Sequence, residues 1–355
     1  MRVGILTSGG DCQALNATMR ALAKALYRQD KKVEIIGFLE GYKGLMYGKY
    51  QVMKEEDFSG ILHVGGTILK SSRCPFKKMR VIEDGFDKVA AMKKTYKQLK
   101  LDCLCVLGGN GSLKSADMLA QEGLNVIGFP KTIDNDTWGT DYTFGYQSAI
   151  DIATTYIDQI HTTASSHNRV FIVEVMGHKV GHICLSAGIA SGSDVILLPE
   201  IPYDINKVVE AIQARNKAGK QFSIIACAEG VISKEDSMLT KKQYKLKVEA
   251  REGQSVAYDI AKKLEQMIDN EIRVVSIGHI QRGGQPCAYD RLMASRFGAM
   301  GARLVLNKDY GKLVVLQNNE VTSIPLSESA GKLKYVDPHC ETIENAKLMG
   351  ISFGI

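Results

Sequence analysis

The sequence predicts an α/β protein built from two doubly wound, mostly parallel, Rossmann-like domains. Short apolar runs such as residues 2–7 and 103–107 alternate with stretches whose apolar residues recur at helical spacing. Glycine-rich turns follow several of these runs, which is typical of the connection from a parallel strand to a helix. The length of 355 residues exceeds what one hydrophobic core usually supports, which favours two domains.

The composition predicts a soluble protein with reduced cysteines that binds small anions. The formal charge of +6 is modest, and the basic pairs at 77–78 and 241–242 lack interleaved aromatic residues, so nucleic-acid binding is not predicted. The eight cysteines contain no Cys-x-x-Cys pair, which favours free thiols over disulfides or a zinc site. No apolar run approaches membrane-spanning length, and no signal peptide is recognisable. We therefore expect a cytoplasmic protein without a membrane partner.

The first strand, turn and helix lie at the N-terminus. Residues 2–7 predict a strand, helical spacing begins at Leu15, and the pair Gly9-Gly10 lies between them. A glycine turn before a helix exposes backbone N–H groups that can bind a phosphate, although any tight turn also favours glycine. A second glycine turn at 65–73 ends at Arg73, which suits either a phosphate contact or an ordinary surface position.

Two further strands lead into polar loops. The strand at 103–107 runs into the glycine turn 108–112, and the strand at 125–128 runs into the loop 131–136. This last loop holds two carboxylates, a hydroxyl, an amide and an ammonium group within six residues, which predicts chemistry; the alternative is a turn that caps a helix. Because carboxyl ends of neighbouring parallel strands share one edge, we expect the three loops to converge.

The second half of the chain continues the alternation of strands and helices. Strands are predicted at 170–175 and near 194–198, 222–228, 273–277 and 313–317, and helices near 206–218, 252–268 and 290–306. The lysine-rich segment 233–251 is predicted to be a solvated surface segment. Glu229, Arg273 and the run 279–282 adjoin strand ends and could bind a phosphate and sugar hydroxyls, or could simply be packed or surface side chains.

In chain order, these motifs resemble the phosphofructokinase family. The resemblance spans about residues 1–325 and is carried by six motifs: Thr7–Asp11, Gly108–Ser112, Pro130–Asp136, Ser165–Arg169, Met176–Gly177 and His279–Gly284. It implies phosphoryl transfer from ATP to the 1-hydroxyl of fructose 6-phosphate with Mg²⁺, by a homodimer or homotetramer whose active sites are shared across the subunit interface. It also implies a donor domain of 1–145 plus about 281–330, a fructose 6-phosphate domain of 146–280 plus 331–355, and an active site in the cleft between them.

The resemblance also implies roles for individual residues. Asp134 is the expected general base, with Lys131 and Thr132 beside it, and Asn110 and Asp136 are the expected metal ligands. The expected donor-binding residues are Gly10, Arg73, Cys74, Gly109, Asn110, Gly111 and Ser112. The expected sugar-binding residues are Thr132, Ile133, Asp134, Arg169, Met176, Gly177, His178, Glu229, Arg273, His279, Ile280, Gln281 and Arg282. In the family, Arg169 and Arg273 reach the site from a neighbouring subunit.

Three positions depart from the family's common pattern. Asn110 stands where an aspartate is usual, and His178 stands where many members have arginine. Pyrophosphate-using members pair a lysine at the position of Lys131 with an aspartate at the position of Gly111, whereas this chain has the lysine and keeps the glycine. An aspartate there would place a carboxylate where the α-phosphate of ATP passes, so Gly111 favours ATP.

Three other functions are alternatives. The nearest is a pyrophosphate-dependent phosphotransferase that acts on the same sugar. NAD and lipid kinases share the short Gly-Gly-x-Gly motif, but they do not account for residues 130–136 or 279–284. A non-catalytic sugar-phosphate receptor or sensor would also have two doubly wound domains, but it needs no carboxylate base beside a phosphate-binding turn.

Overall fold

The computed structural model describes residues 1–251 and 253–355. The chain divides into two compact units, residues 1–148 with 282–334 and residues 149–281 with 335–355. Each unit has a mostly parallel sheet with helices between its strands, so the predicted α/β class is confirmed. Within the described residues, no helix is both long enough and apolar enough to cross a membrane.

The strands and helices have the following bounds. The strands are β1 (Arg2–Ser8), β2 (Glu34–Phe38), β3 (Tyr50–Met53), β4 (Cys103–Gly108), β5 (Val126–Pro130), β6 (Val170–Val175), β7 (Val195–Leu197), β8 (Ser223–Ala228), β9 (Ile272–Ser276), β10 (Lys312–Gln317) and β11 (Glu320–Pro325). The α-helices are α1 (Leu15–Gln29), α2 (Tyr42–Tyr47), α3 (Lys88–Gln98), α4 (Asn110–Gln121), α5 (Tyr146–His167), α6 (His182–Ala190), α7 (Ile205–Lys217), α8 (Lys234–Ser237), α9 (Lys241–Glu249), α10 (Val256–Leu264), α11 (Ala288–Leu306), α12 (Leu326–Ser329) and α13 (Glu341–Leu348). Short 3₁₀ helices lie at Glu55–Phe58, Phe76–Lys78 and Gly278–Arg282.

The sheet of the first unit has seven strands in the order β11-β10-β5-β4-β1-β2-β3. Its inner pairs are parallel, and β3 and β11 close the two edges as antiparallel strands. The chain moves outward from β1 to β2 on one side and from β4 to β5 on the other. The switch in direction therefore falls between β1 and β4, where ligands bind in doubly wound sheets.

The sheet of the second unit has four strands in the order β7-β8-β6-β9, all parallel. The strands β6 and β8 are buried along their whole length, as expected of inner strands whose two faces are covered. Because β8, β6 and β9 are neighbours, the loops after residues 228, 175 and 276 emerge at one edge of this sheet.

Three features differ from the elements predicted from the sequence, whereas the strand predicted near 313–317 forms and lies beside β5 in the first sheet, to which helix α11 leads the chain back. Asn110 begins helix α4 instead of lying in a loop before it. The helix predicted at 252–268 spans Val256–Leu264, and residue 252 lies outside the described residues. The segment 233–251, expected to be solvated, contains α8 and α9, and α9 buries none of its residues.

Candidate active site

The turn after β1 is shaped to bring its backbone close to other groups. Gly9 has φ of +86°, a left-handed conformation that favours glycine, and its N–H donates to Ser72 O at 3.1 Å. A Cβ on Gly10 would lie 2.8 Å from Arg282 Nη1, so the guanidinium group would have to shift to admit a larger residue. Arg282 Nη1 itself donates to Asp11 O at 2.8 Å. The turn therefore presents backbone N–H groups beside a fixed guanidinium group.

The N-terminus of α4 follows β4 directly. Gly109 is its N-cap and no side chain caps the helix; Ser112 N donates to Gly109 O at 2.9 Å, while the N–H groups of Asn110 and Gly111 precede any carbonyl of the helix that they could reach. These groups and the helix dipole favour an anion at this point. A Cβ added to Gly111 would meet nothing within 4 Å, so the space beside this residue is open. Asn110 Nδ2 donates to Lys332 O, which leaves the Asn110 amide oxygen as its available ligand atom.

Lys131 joins the turns after β1 and β4 to the loop 131–136. Its main-chain nitrogen donates to Gly108 O at 3.1 Å, and its ammonium group donates to Gly10 O. The side chain is buried, and this burial lowers the pKa of Lys131; the positive charge of Arg282 acts in the same direction, against Cys12 and Asp134. Three predicted functional segments therefore meet at one lysine, through its main chain and its side chain.

The loop after Lys131 is held by its own side chains. Thr132 Oγ1 accepts from Asp134 N at 3.1 Å, and Thr143 Oγ1 donates to Thr132 O at 2.8 Å. Asn135 has φ of +54°, which asparagine tolerates better than most residues, and its Oδ1 accepts from Thr143 N at 3.1 Å. These bonds fix the backbone on both sides of Asp134.

The two carboxylates of this loop have unsatisfied oxygens. Asp134 Oδ1 and Asp136 Oδ1 are buried and lack a hydrogen-bond partner among the described residues. Burial, and then the charge of Asp134, raises the pKa of Asp136 from 3.8 to about 7. Buried carboxylate oxygens of this kind require a proton, a cation or a donor from a ligand.

These oxygens fit a magnesium ion bound together with substrate phosphates. Mg²⁺ takes oxygen ligands and is usually held by one or two carboxylates, waters and phosphate oxygens rather than by a protein cage. No group of three or more His, Cys, Asp or Glu side chains able to hold a metal occurs in the described parts of the chain. The unpartnered oxygens of Asp134 and Asp136 therefore suit a Mg²⁺ ion whose remaining ligands are phosphate oxygens and waters. They do not form a site that holds a metal by protein side chains alone.

Two residues that the sequence analysis missed also hold this loop. The Asp290 carboxylate is fully buried and accepts from Gly145 N and Ser148 N at 2.7 and 2.8 Å. Lys334 N donates to Asp136 O at 2.9 Å, and its ammonium group donates to Thr140 O at 2.8 Å. Burial lowers the pKa of Lys334 to about 8, against the nearby negative charges. In the sequence, Asp290 was detectable only as an acid in the first turn of a helix, and Lys334 lies beyond every motif.

Five of the predicted sugar-binding residues are brought together in the second unit. Glu229 Oε1 accepts from His178 N at 2.6 Å and Gly177 N at 3.3 Å, which ties the ends of β6 and β8. Gln281 is fully buried, and its Oε1 accepts from Met176 N at 3.3 Å. His178 has a left-handed backbone with φ of +54° and an exposed side chain. The cluster therefore presents a backbone loop and an exposed imidazole at the carboxyl edge of this sheet.

The two arginines expected from a neighbouring subunit lie elsewhere in the second unit. Arg169 directly precedes β6. Arg273 lies on β9 opposite Phe171, near the start of β6. Glu271 binds both: Arg169 Nε is 2.5 Å from Glu271 Oε2, and Arg273 also pairs with this carboxylate. Six residues of β6 separate Arg169 from Met176, a length of about 20 Å. Within one chain, these arginines and the loop after β6 therefore lie at opposite ends of the strand.

The other predicted site residues are distributed over both units. Ser112 lies in the first turn of α4, and Ile133 is fully buried within the loop 131–136. Arg73 is exposed, while Cys74 is partly buried against the core of the first unit. His279 and Ile280 are exposed in the 3₁₀ helix after β9. Arg282, expected to bind the sugar phosphate, donates to Asp11 O beside the glycine turn after β1.

Known proteins resemble this chain over nearly its whole length. A family model described as Phosphofructokinase matches residues 2–305. The ATP-dependent 6-phosphofructokinase of Spirochaeta thermophila is 50% identical over 355 residues, covering 99% of this chain and 97% of that protein. A phosphofructokinase structure from Saccharomyces cerevisiae has a TM-score of 0.80 and 29% identity over 93% of this chain, which covers 45% of the yeast chain. A pyrophosphate-dependent phosphofructokinase from Marinobacter aquaeolei has a TM-score of 0.81 and 18% identity, covering 99% and 91% of the two chains, a likeness of fold alone.

Proposed function

Because this chain belongs to the phosphofructokinase family, we propose that it is an ATP-dependent 6-phosphofructokinase. It transfers the γ-phosphoryl group of ATP to the 1-hydroxyl of fructose 6-phosphate and forms fructose 1,6-bisphosphate, a step of glycolysis. The observation that carries this function is the Asp134 carboxylate, whose buried Oδ1 has no hydrogen-bond partner among the described residues. Asp134 lies on the loop that Lys131 connects to the two glycine turns after β1 and β4. The cytoplasm is the location that fits this reaction.

Asp134 acts as the general base. A primary alcohol is a weak nucleophile, so a carboxylate within hydrogen-bond reach takes its proton as the new oxygen–phosphorus bond forms. Thr132 Oγ1 holds the Asp134 N–H, and the loop around it is bonded to Thr143, so the carboxylate keeps its position without using its own oxygens. An oxygen left unsatisfied in the free protein is then available to the substrate hydroxyl.

The charge on the transferred group is neutralised by groups of the first unit. The first-turn N–H groups of α4 and the turn at Gly10 bind the donor phosphates, while Lys131 and Arg282 supply two positive charges held by backbone carbonyls. Asp136 and the amide oxygen of Asn110 would hold Mg²⁺ together with these phosphates. When bound, the ion supplies positive charge that stabilises the phosphoryl oxygens.

The residues of the second unit bind the sugar phosphate. Met176, Gly177 and His178 offer a backbone loop fixed by Glu229 and Gln281, and His279 follows the neighbouring strand. The arginines Arg169 and Arg273 lie at the other end of β6, so one chain does not deliver them to this loop. This separation supports a homodimer or homotetramer in which Arg169 and Arg273 serve the site of a neighbouring subunit.

ATP is the favoured donor, and pyrophosphate is the alternative. The open space beside Gly111 admits the rest of a nucleotide, and the 50% identical relative is named for ATP. The pyrophosphate-dependent neighbour shares only 18% identity. Lys131 is compatible with either donor, since its ammonium group would attract any phosphate.

A coupled assay of the purified protein tests this function. Fructose 6-phosphate and Mg²⁺ are supplied with either ATP or pyrophosphate, and fructose 1,6-bisphosphate is measured. We expect rapid turnover with ATP and little with pyrophosphate. Faster turnover with pyrophosphate would reverse the choice of donor, and no product with either donor would overturn the function.

A further inference from the structure

The lysine-rich segment 233–251 and helix α10 line a partly open cavity in the second unit. Its volume is about 480 Å³, within the range of small-molecule sites. It is lined by Tyr203, Ser233, Asp236, Lys247, Ala250, Arg251, Gln254, Val256, Asp259, Lys262 and Lys263. Four of these side chains are cationic and two are anionic, so the lining carries a surplus of positive charge. None of them belongs to the donor or sugar residues assigned above.

Arg251 is the most constrained cation of this cavity. Its side chain is 11% exposed, and its Nε lies 2.6 Å from Asp259 Oδ2. The terminal nitrogens of its guanidinium group have no hydrogen bond to any other described residue. A guanidinium group offers five donors in a planar fork, and a single carboxylate oxygen does not satisfy them. Phosphate oxygens match this fork well.

The three lysines of this cavity differ in whether their ammonium groups are paired with a carboxylate. Lys247 is bound to the buried carboxylate of Asp236 at 2.6 Å, which fixes its ammonium group at the cavity wall. Lys263 has a looser pair with Glu235 at 3.6 Å, and Lys262 is exposed and has no ion-pair partner among residues 1–251 and 253–355. The two cavity carboxylates are thus already occupied, while Lys262 and the ends of Arg251 are not. A ligand that completes this arrangement must be an anion.

We propose that this cavity binds a small phosphorylated metabolite carrying at least two negative charges. A phosphate group pairs with Arg251 and the three lysines, and the buried Tyr203 and Val256 offer apolar contact to the organic part. This site does not depend on the proposed enzymatic function. It gives the segment 233–251 a role in binding.

Site-resolved lysine acetylation of the full-length protein tests the proposal. The protein is treated with an acetylating reagent in the presence of glycerol 3-phosphate, inorganic phosphate, or chloride at the same ionic strength, and each lysine is followed by mass spectrometry. We expect millimolar glycerol 3-phosphate to slow acetylation of Lys247, Lys262 and Lys263 by about threefold or more relative to chloride. Acetylation of the exposed Lys220 is expected to stay unchanged.

Two substitutions locate the effect. Arg251→Met removes the central charge, and Lys262→Met removes an exposed one whose loss leaves the fold intact; Lys220→Met is the matched exposed control. Protection of Lys247 and Lys263 is expected to weaken in Lys262→Met and to persist in Lys220→Met. Equal acetylation in glycerol 3-phosphate and in chloride overturns the site, as does protection by glycerol 3-phosphate that survives in both Arg251→Met and Lys262→Met. Protection by inorganic phosphate alone overturns the assignment to a metabolite.

Discussion

Asp290 accepts two hydrogen bonds from Ser148 through one oxygen, at 2.8 Å from the main-chain nitrogen and 2.5 Å from the hydroxyl. Its other oxygen accepts from the Tyr142 hydroxyl and from Gly145 N. Because this carboxylate is fully buried, these four donors replace the water that it loses on folding. Asp290 thereby fixes the chain between the loop 131–136 and the start of α5.

Asp290→Asn is expected to lower the free energy of unfolding by about 3 kcal/mol, because an amide nitrogen would face donors that then lack an acceptor. Ser148→Ala removes one of the four donors and is expected to cost about 1 kcal/mol. Urea denaturation of the two variants measures both values. Equal losses in the two variants would contradict the central position of Asp290 in this network.

Asp134→Asn is expected to lower kcat by at least about 10²-fold, because the amide cannot take the proton of the sugar hydroxyl. The asparagine keeps the size of the side chain, so the KM values and the melting temperature are expected to change little. Steady-state kinetics with ATP and fructose 6-phosphate measure the effect. Near-normal kcat in this variant would remove Asp134 from the role of base.

The α/β class could be predicted because buried parallel strands carry a strong local signal. The run Cys103–Gly108 is apolar throughout and buried throughout. The edge strands β3 and β11 lack this signal, since β3 exposes most of its residues and β11 is only half buried. Each pairs with the strand that precedes it in sequence, but its mixed burial leaves no continuous apolar run, so the sequence pattern did not reveal it.

The candidate site could be predicted where its residues are contiguous in sequence. The loop 131–136 and the start of α4 were found because their polar residues follow strands directly. The contact of Arg282 with Asp11, and the pairing of Arg169 and Arg273 with Glu271, join residues about 100 or more positions apart, or depend on side-chain direction. No periodicity encodes contacts of this kind, and only the folded chain reveals them.

Asp136→Asn is expected to stabilise the protein more at high pH than at low pH. The folded-state pKa of Asp136, about 7, is raised above the ordinary 3.8, so the folded state holds a proton that the unfolded state releases. The stability of the wild-type protein therefore falls as the pH rises from about 4 to 7, by up to about 4 kcal/mol. The asparagine variant avoids this loss.

Thermal unfolding of Asp136→Asn and of the wild type in EDTA, from about pH 4 to 7, measures the gain in stability. The exposed Asp84→Asn serves as the matched substitution. The same gain from Asp136→Asn at both ends of the range would show that the buried charge is not its cause. The variant is also expected to need more Mg²⁺ for activity, because it loses a carboxylate ligand.

Mixed oligomers are expected to recover activity from two inactive variants. Asp134→Ser removes the base, and Arg273→Ala removes an arginine that lies at the far end of the second sheet from the loop after β6. If Arg273 serves a neighbouring subunit, a hybrid assembles one site from two intact parts. Co-refolding the variants and assaying the isolated hybrid tests this, and refolding each variant alone is the control. An inactive hybrid would place Arg273 outside the shared site.

Gly111→Asp is expected to reduce the use of ATP by roughly two to three decades in affinity, because a carboxylate a few ångströms from a phosphate costs about 3–4 kcal/mol at an intermediate dielectric. The backbone admits this change, since a Cβ at Gly111 meets nothing within 4 Å and an acid in the first turn of α4 favours the helix. Gly111→Asn has the same size without the charge and is expected to lose far less. Lys131→Gly should keep weakened ATP use and gain no pyrophosphate activity, since Lys131 assists either donor. Kinetic constants for Mg-ATP and pyrophosphate in all three variants measure this, and equal losses in Gly111→Asp and Gly111→Asn would mean that bulk, rather than charge, selects the donor.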